Sequence, residues 1–169
     1  DWKLDFPEVL NPLATDHTGF DIVIGNPPYI DSETMVNNGD SELREVLSKQ
    51  LNFTRGNWDI YIAFFEIAYN LLAQRGNMVY ITPDKWISKP FGVELRKGLL
   101  DNYRLITEAG RKVFKTAKVD SIITFISKKQ QSFFYIKSYL SWILAQYIVS
   151  ILLILIIKER FGSQTEGLL

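Results

Sequence analysis

The sequence predicts an α/β domain with a mostly parallel sheet and helices on both faces. Short apolar runs rich in β-branched residues alternate with segments of helical periodicity, which is typical of parallel sheets. The first two runs end directly at a glycine and a proline, as strands often do. A length of 169 residues is sufficient for one domain with a core.

Four apolar runs are predicted to be strands. They are residues 22–24, 78–82, 105–108 and 121–127. The first run is short, continuous and flanked by glycines, so we expect it to be a buried strand.

The segments between these runs are predicted to be helices and loops. Residues 59–73 repeat apolar side chains at helical spacing, and Gly76 follows as a natural stop. Residues 41–49 are expected to form a short helix capped by Ser41. Residues 91–102 are expected to form a further helix, whereas the polar stretch 31–40 is typical of a loop.

The composition excludes several kinds of site. The chain has no cysteine, so disulfides, thiolate nucleophiles and cysteine metal sites are excluded, and a reducing cytoplasmic setting fits. One histidine, His17, cannot build a histidine-rich metal cluster, and no metal site is predicted. Basic and acidic residues number 19 each, so no global positive charge indicates a nucleic-acid partner.

Residues 130–169 differ in character from the rest. Residues 142–157 are almost wholly apolar, and no glycine, proline or asparagine occurs between Ser132 and Arg160. We interpret this tail as the product of a truncation or frameshift. A membrane anchor and a swapped-in core helix are alternatives, although the apolar run is slightly short for a span of about 20 residues.

The stretch "FDIVIGNPPYI", residues 20–30, suggests a chemical site. Ligands of parallel α/β sheets bind at the carboxyl ends of strands, which is where "GNPPY" lies. Pro27 and Pro28 make a stiff extended corner with free carbonyls. The Asn26 side chain and the Pro27 carbonyl then form two acceptors suited to an –NH₂ group, and Tyr29 offers a face for stacking. An ordinary turn is the alternative for these four residues.

The stretch "FDIVIGNPPYI" resembles the catalytic motif of S-adenosylmethionine-dependent methyltransferases that act on amino groups. This class includes DNA adenine-N6, protein glutamine and some RNA guanine enzymes. Three further blocks favour the DNA adenine enzymes of combined restriction–modification systems: "DWKLDFPEVL", "WDIYIAFFEIAYNLLAQRGNMVYITPDKWI" and "ITEAGRKVFKTAKVDSIITFISKK". The resemblance covers residues 1–129 and implies the C-terminal portion of a partial Rossmann-like methyltransferase domain.

The resemblance implies roles for six residues. Asn26 and the carbonyl of Pro27 would hold the adenine amine on the corner stiffened by Pro28, and Tyr29 would stack on the flipped base. Phe114 would hold the base from the side, with core packing as its alternative. Phe64 matches an aromatic residue that packs against the cofactor's adenine in the family, although its position on an apolar helix face also fits plain core.

The resemblance also implies double-stranded DNA as substrate and S-adenosyl-L-methionine as methyl donor. The family binds this cofactor mainly through a glycine-rich loop, but the sequence contains no Gly-x-Gly. The domain that reads the DNA target is also expected to lie outside these residues. We therefore expect a DNA adenine methyltransferase by lineage whose isolated chain is inactive. A protein glutamine or RNA methyltransferase, or a non-catalytic remnant, is the alternative.

Overall fold

The computed structural model describes residues 2–11, 13, 18–109, 120–129 and 135–137. The chain divides into two units, residues 1–136 and 137–169. Almost all of the predicted tail lies outside the described residues. Within the part that is described, no helix combines the length and apolarity needed to cross a membrane.

Five strands and seven helices make up the described part of the chain. The strands are β1 (Phe20–Gly25), β2 (Leu72–Pro83), β3 (Tyr103–Glu108), β4 (Ser121–Ser127) and β5 (Tyr135–Lys137). The helices are α1 (Trp2–Asp5), α2 (Pro7–Leu10), α3 (Ser32–Asn37), α4 (Ser41–Gln50), α5 (Ile60–Leu71), α6 (Lys85–Ser88) and α7 (Val93–Gly98). Short 3₁₀ turns flank α7 at Pro90–Gly92 and Leu100–Asn102.

The strands form one mixed sheet in the order β1-β2-β4-β3-β5. β1 pairs with β2 in parallel, while β4 is antiparallel to both of its neighbours, β2 and β3. β1, β2 and β3 therefore run in one direction, and β4 runs in the opposite direction between β2 and β3. The predicted α/β class is confirmed, and the carboxyl ends of β1, β2 and β3 lie at the same edge of the sheet.

One face of the sheet is buried beneath helices. Along β2 and β4, alternate residues such as Met78 and Ile126 are almost fully buried, and they pair directly across the two strands. They belong to the same core cluster as Ile62 and Phe65 of α5 and Leu95 of α7. The helical spacing seen in the sequence thus reflects the contact of α5 with this face.

The opposite face is much less covered among the described residues. Ile22 and Ile24 of β1 are 64% and 76% exposed. Ile24 pairs with Val79, which in turn pairs with Phe125, and Phe125 is also exposed. The prediction of a strand at residues 22–24 is confirmed, but the prediction that it is buried is wrong. β1 lies at the end of the strand order, and no described element covers this side of it.

The expected loop at residues 31–40 contains helix α3. Asp31 takes the N-cap position, and its side chain accepts a hydrogen bond of 2.8 Å from the Thr34 backbone N–H. This capping bond stabilises a helix in a segment whose composition favours a loop. The next helix, α4, is confirmed, but its N-cap residue is Asp40 and not Ser41.

Gly76 has a role that differs from a simple helix stop. Gly76 lies inside β2, which begins at Leu72 directly after α5. A Cβ atom at Gly76 would lie 2.6 Å from the Phe20 carbonyl oxygen, so glycine permits the close approach of β1 and β2.

The helix expected at residues 91–102 is regular only over Val93–Gly98.

The exposed face generates a stability prediction. Ile24→Ala should lower the free energy of unfolding by less than about 1 kcal/mol, because this side chain already contacts water. Ile126→Ala, on the buried face, should cost about 2–5 kcal/mol. Urea denaturation of both variants measures the difference. An equal loss at the two positions would show that Ile24 is buried in solution.

Candidate active site

The corner that follows β1 has both buried and exposed parts. Pro27 is buried, whereas Asn26 and Pro28 are exposed. The corner lies at the sheet edge where β2 and β3 also end. The structure therefore places "GNPPY" at the end of the sheet where α/β proteins bind ligands.

Gly25 fits the corner tightly against the neighbouring strand. It pairs with Tyr80 of β2, and a Cβ atom at Gly25 would lie 2.7 Å from the Tyr80 ring. Tyr80 is 5% exposed, and its hydroxyl donates a hydrogen bond of 3.5 Å to the Phe64 carbonyl. Burial raises the pKa of Tyr80 to about 12. The absence of a side chain at Gly25 lets the corner start directly on this fixed ring.

The far end of the corner is fixed by two hydrogen bonds. The Ile60 backbone N–H, at the start of α5, donates to the Ile30 carbonyl over 2.9 Å. Asp31 then caps α3, and its hydrogen bond to Thr34 lowers the pKa of the Asp31 carboxyl. The four residues from Asn26 to Tyr29 are therefore held between β1 and two helix starts.

Asn26 leaves its side chain available to a ligand. The residue is exposed, and its amide makes no hydrogen bond with any other residue in the described ranges. An amide oxygen at the rim of a stiff corner is a ready acceptor for an N–H donor.

Tyr29 is half-buried, and its hydroxyl points inward. The hydroxyl oxygen is buried, and burial raises the pKa of the phenol, an effect partly offset by the Ser121 hydroxyl. Ser121 opens β4, opposite Pro83 at the end of β2. The buried hydroxyl end of Tyr29 therefore fixes the position of its ring.

Phe64 differs from its neighbours on α5. Phe65 is fully buried, but Phe64 is 38% exposed. Its own carbonyl accepts the hydrogen bond from Tyr80, whose ring lies against Gly25. The structure thus connects the Phe64 backbone to the corner through Tyr80, and it gives the Phe64 side chain a partly exposed position in place of plain core. Phe114, the other aromatic residue singled out by the sequence, lies outside the described residues.

Sequence reasoning missed two acidic residues and a tyrosine near the corner. Burial raises the pKa of Asp59, and burial together with Asp120 and Glu108 raises the pKa of Asp84. Tyr61, the second residue of α5, is fully buried beside Asp59. Asp59 directly precedes a helix, so its sequence position predicts an ordinary N-cap residue. Nothing in the local sequence indicates that its side chain is buried. The described residues contain no cluster of three or more potential metal ligands.

The sequence profile of the Eco57I restriction-modification methylase family matches residues 1–114. The chain belongs to this family. The match includes β1, the corner, α5 and β2, and so covers all of the site described above except Ser121. The expected membership in a family of S-adenosylmethionine-dependent methyltransferases is confirmed.

Individual relatives support the same assignment. The chain is 29% identical over 140 residues to the type II restriction enzyme and methyltransferase RM.Eco57I of Escherichia coli, covering 79% of this chain and 14% of that protein. It is 31% identical to the methyltransferase M.BstVI of Geobacillus stearothermophilus, and the match covers 54% of this chain and 16% of that protein. It is 32% identical to the adenine-specific methyltransferase BrxX of Escherichia coli O9:H4 (strain HS), covering 69% and 10%. The chain thus spans a small part of each relative.

Solved structures share the fold. One is described as a class I S-adenosylmethionine-dependent methyltransferase from Listeria monocytogenes, with a TM-score of 0.57 and 16% identity, covering 79% of this chain and 42% of that one. Another is DrdV in complex with DNA, with a TM-score of 0.54 and 15% identity, covering 71% and 14%. The expected partial Rossmann-like methyltransferase fold is confirmed.

The close contact at Gly25 generates the second prediction. Gly25→Ala should lower the free energy of unfolding by about 1–3 kcal/mol, because the added methyl overlaps the buried Tyr80 ring. Urea denaturation measures this loss. In a Tyr80→Leu background the same substitution should cost less, and full additivity of the two changes would contradict the proposed contact.

Proposed function

We propose that this chain supplies the catalytic corner of a site-specific DNA adenine-N6 methyltransferase in a restriction–modification system. The observation that carries the proposal is the corner itself: an exposed and unengaged Asn26 amide beside a buried Pro27, fixed at both ends. The family membership and the adenine-specific relative support adenine as the target base. The DrdV structure in complex with DNA supports DNA as the partner.

The corner activates an amine by holding it. The exocyclic amine of adenine is a poor nucleophile because its lone pair is delocalised into the ring. The Asn26 side-chain oxygen and the Pro27 carbonyl accept its two hydrogens and favour a pyramidal nitrogen with an accessible lone pair. Pro28 keeps the two acceptors in a fixed relation, and this placement replaces a strong general base.

Tyr29 stacks on the base after it leaves the helix. Since its hydroxyl is buried, the ring keeps its orientation before the base arrives. In the proposed site Phe114 holds the base from the side. The amine proton released after transfer passes to solvent, to which Asn26 is open.

The described residues fit an S-adenosylmethionine site at one point. Phe64 presents a partly exposed ring, and in the proposed site the cofactor's adenine packs against it. The bound cofactor supplies an electrophilic methyl group. The 169 residues contain no Gly-x-Gly sequence of the kind through which the family mainly binds this cofactor.

Methyl transfer to DNA tests the proposal in two samples. The 169-residue chain alone should transfer no labelled methyl group from S-adenosylmethionine to duplex DNA, because its sequence contains no Gly-x-Gly for a cofactor loop. A chimera in which residues 1–129 replace the matching segment of RM.Eco57I should methylate adenine. Asn26→Ala in the chimera should lower kcat about 100-fold, whereas the exposed Asn70→Ala should not.

Methyl transfer to adenine by the isolated chain would contradict only the expectation that this chain is inactive by itself. A chimera that folds and binds S-adenosylmethionine but modifies no adenine would contradict the proposed function.

Substitutions of two adjacent phenylalanines on α5, Phe64 and Phe65, distinguish a role in cofactor binding from a role in core packing. Phe64→Ala in the chimera should weaken S-adenosylmethionine binding about 5- to 100-fold, because it removes a stacking face. The same change in the 169-residue chain should cost about 1 kcal/mol or less, since the ring is partly exposed. Phe65→Ala should instead cost about 3–5 kcal/mol. Isothermal titration and urea denaturation measure the two effects, and unchanged cofactor affinity in Phe64→Ala would refute the binding role.

A further inference from the structure

Three buried hydroxyl groups belong to the corner and to residues that interact with it. They belong to Tyr29, to Tyr61 of α5 and to Ser121 of β4. The Tyr29 and Ser121 hydroxyls interact, and Tyr61 lies within electrostatic reach of Tyr29. Buried polar groups are nearly always fully hydrogen-bonded, but the hydroxyls of Tyr61 and Ser121 have no partner in strict hydrogen-bond geometry among the described residues.

The backbone brings the two tyrosines together. The 2.9 Å hydrogen bond from the Ile60 N–H to the Ile30 carbonyl joins the residues adjacent to Tyr61 and Tyr29. Tyr61 is fully buried, so its hydroxyl cannot turn to solvent. The start of α5 is therefore fixed against the segment that carries the stacking ring.

Asp59 completes this arrangement. It occupies the N-cap position of α5, yet its side chain makes no capping hydrogen bond. It is only 6% exposed, and its carboxylate interacts with the Tyr61 hydroxyl. An aspartate that is buried without capping its helix reduces stability, and natural sequences keep such residues mainly at functional sites.

We propose that Tyr61, with Asp59 behind it, is a positioning residue that orients the Tyr29 ring for stacking on the target base. This inference rests on the proposed function of the corner. Hydrogen bonds of catalytic sites are often long in the free protein and tighten in the complex. In the proposed complex, the interacting hydroxyls of Ser121 and Tyr29 and the nearby hydroxyl of Tyr61 close into one series of hydrogen bonds when a base stacks on Tyr29.

Asp59 determines the direction of the hydrogen bonds among these hydroxyl groups. An ionised carboxylate only accepts hydrogen bonds, so Tyr61 donates to Asp59 and its oxygen is left to accept from Tyr29. Four groups face Asp59: Tyr61 on α5, Asp31 at the cap of α3, Arg44 on α4 and Lys85 on α6. The Arg44 guanidinium also donates to the Trp58 carbonyl over 2.8 Å, which holds the residue before Asp59 in place.

The first test uses the 169-residue chain labelled with ¹³C at the tyrosine ζ carbon. Tyr61→Phe and Asp59→Asn should each shift the Tyr29 signal, whereas Tyr69→Phe, which changes a tyrosine beneath Lys128, should not. Asp59→Asn should also raise the melting temperature near pH 7 relative to the native chain. The folded-state pKa of Asp59 is raised, so its stabilising protonated form is lost as pH rises. The gain should shrink below the unfolded pKa.

The second test uses the RM.Eco57I chimera. Tyr61→Phe should lower kcat about 2- to 10-fold, the range of one neutral hydrogen bond, with an unchanged KM for S-adenosylmethionine and an unchanged or higher melting temperature. A merely structural hydroxyl would alter stability and leave kcat unchanged, and that result would overturn the inference. If the unsubstituted chimera transfers no methyl group, the proposed function is contradicted. The positioning role of Tyr61 is then tested by the Tyr29 signal alone. An unmoved Tyr29 signal in both Tyr61→Phe and Asp59→Asn would overturn the positioning role.

Discussion

The parallel pairing of β1 with β2 is the constraint on which the site depends. It sets Gly25 against the Tyr80 ring with no room for a side chain, and it thereby fixes where the corner begins. The Tyr80 hydroxyl then contacts the Phe64 carbonyl, so the same ring relates α5 to the corner. One buried tyrosine thus connects the residues proposed to hold the amine with the residue proposed to contact the cofactor.

The second end of the corner depends on α5. Its first backbone N–H donates to the Ile30 carbonyl, and its first turn brings Tyr61 within electrostatic reach of Tyr29. The stiffness supplied by the two prolines would be of little use if either end moved. Electrostatic preorganisation requires acceptors that are in place before the substrate arrives, and here both flanking segments are anchored in the core.

The sequence predicted the class of fold and the strand end at which the corner lies, because strand and proline signals are local. It identified β1, β2, β3, β4 and the core of α5 from apolar patterns. Helix α3 was missed because one capping contact, from Asp31, overrides a loop-like composition. The exposure of Ile22 and Ile24 was also missed, since an apolar run does not reveal whether another element covers it. The burial of Asp59 and Tyr61 depends on contacts between distant segments, which local patterns do not encode.

The chemical identity of the modified group tests the central claim most directly. Duplex DNA treated with the active chimera and S-adenosylmethionine is digested to nucleosides and analysed by mass spectrometry. A corner formed by Asn26, Pro27 and Tyr29 around an adenine amine predicts N6-methyl-2′-deoxyadenosine as the only new nucleoside, and its loss in Asn26→Ala. Methylation of cytosine, or of protein or RNA in place of DNA, would contradict it.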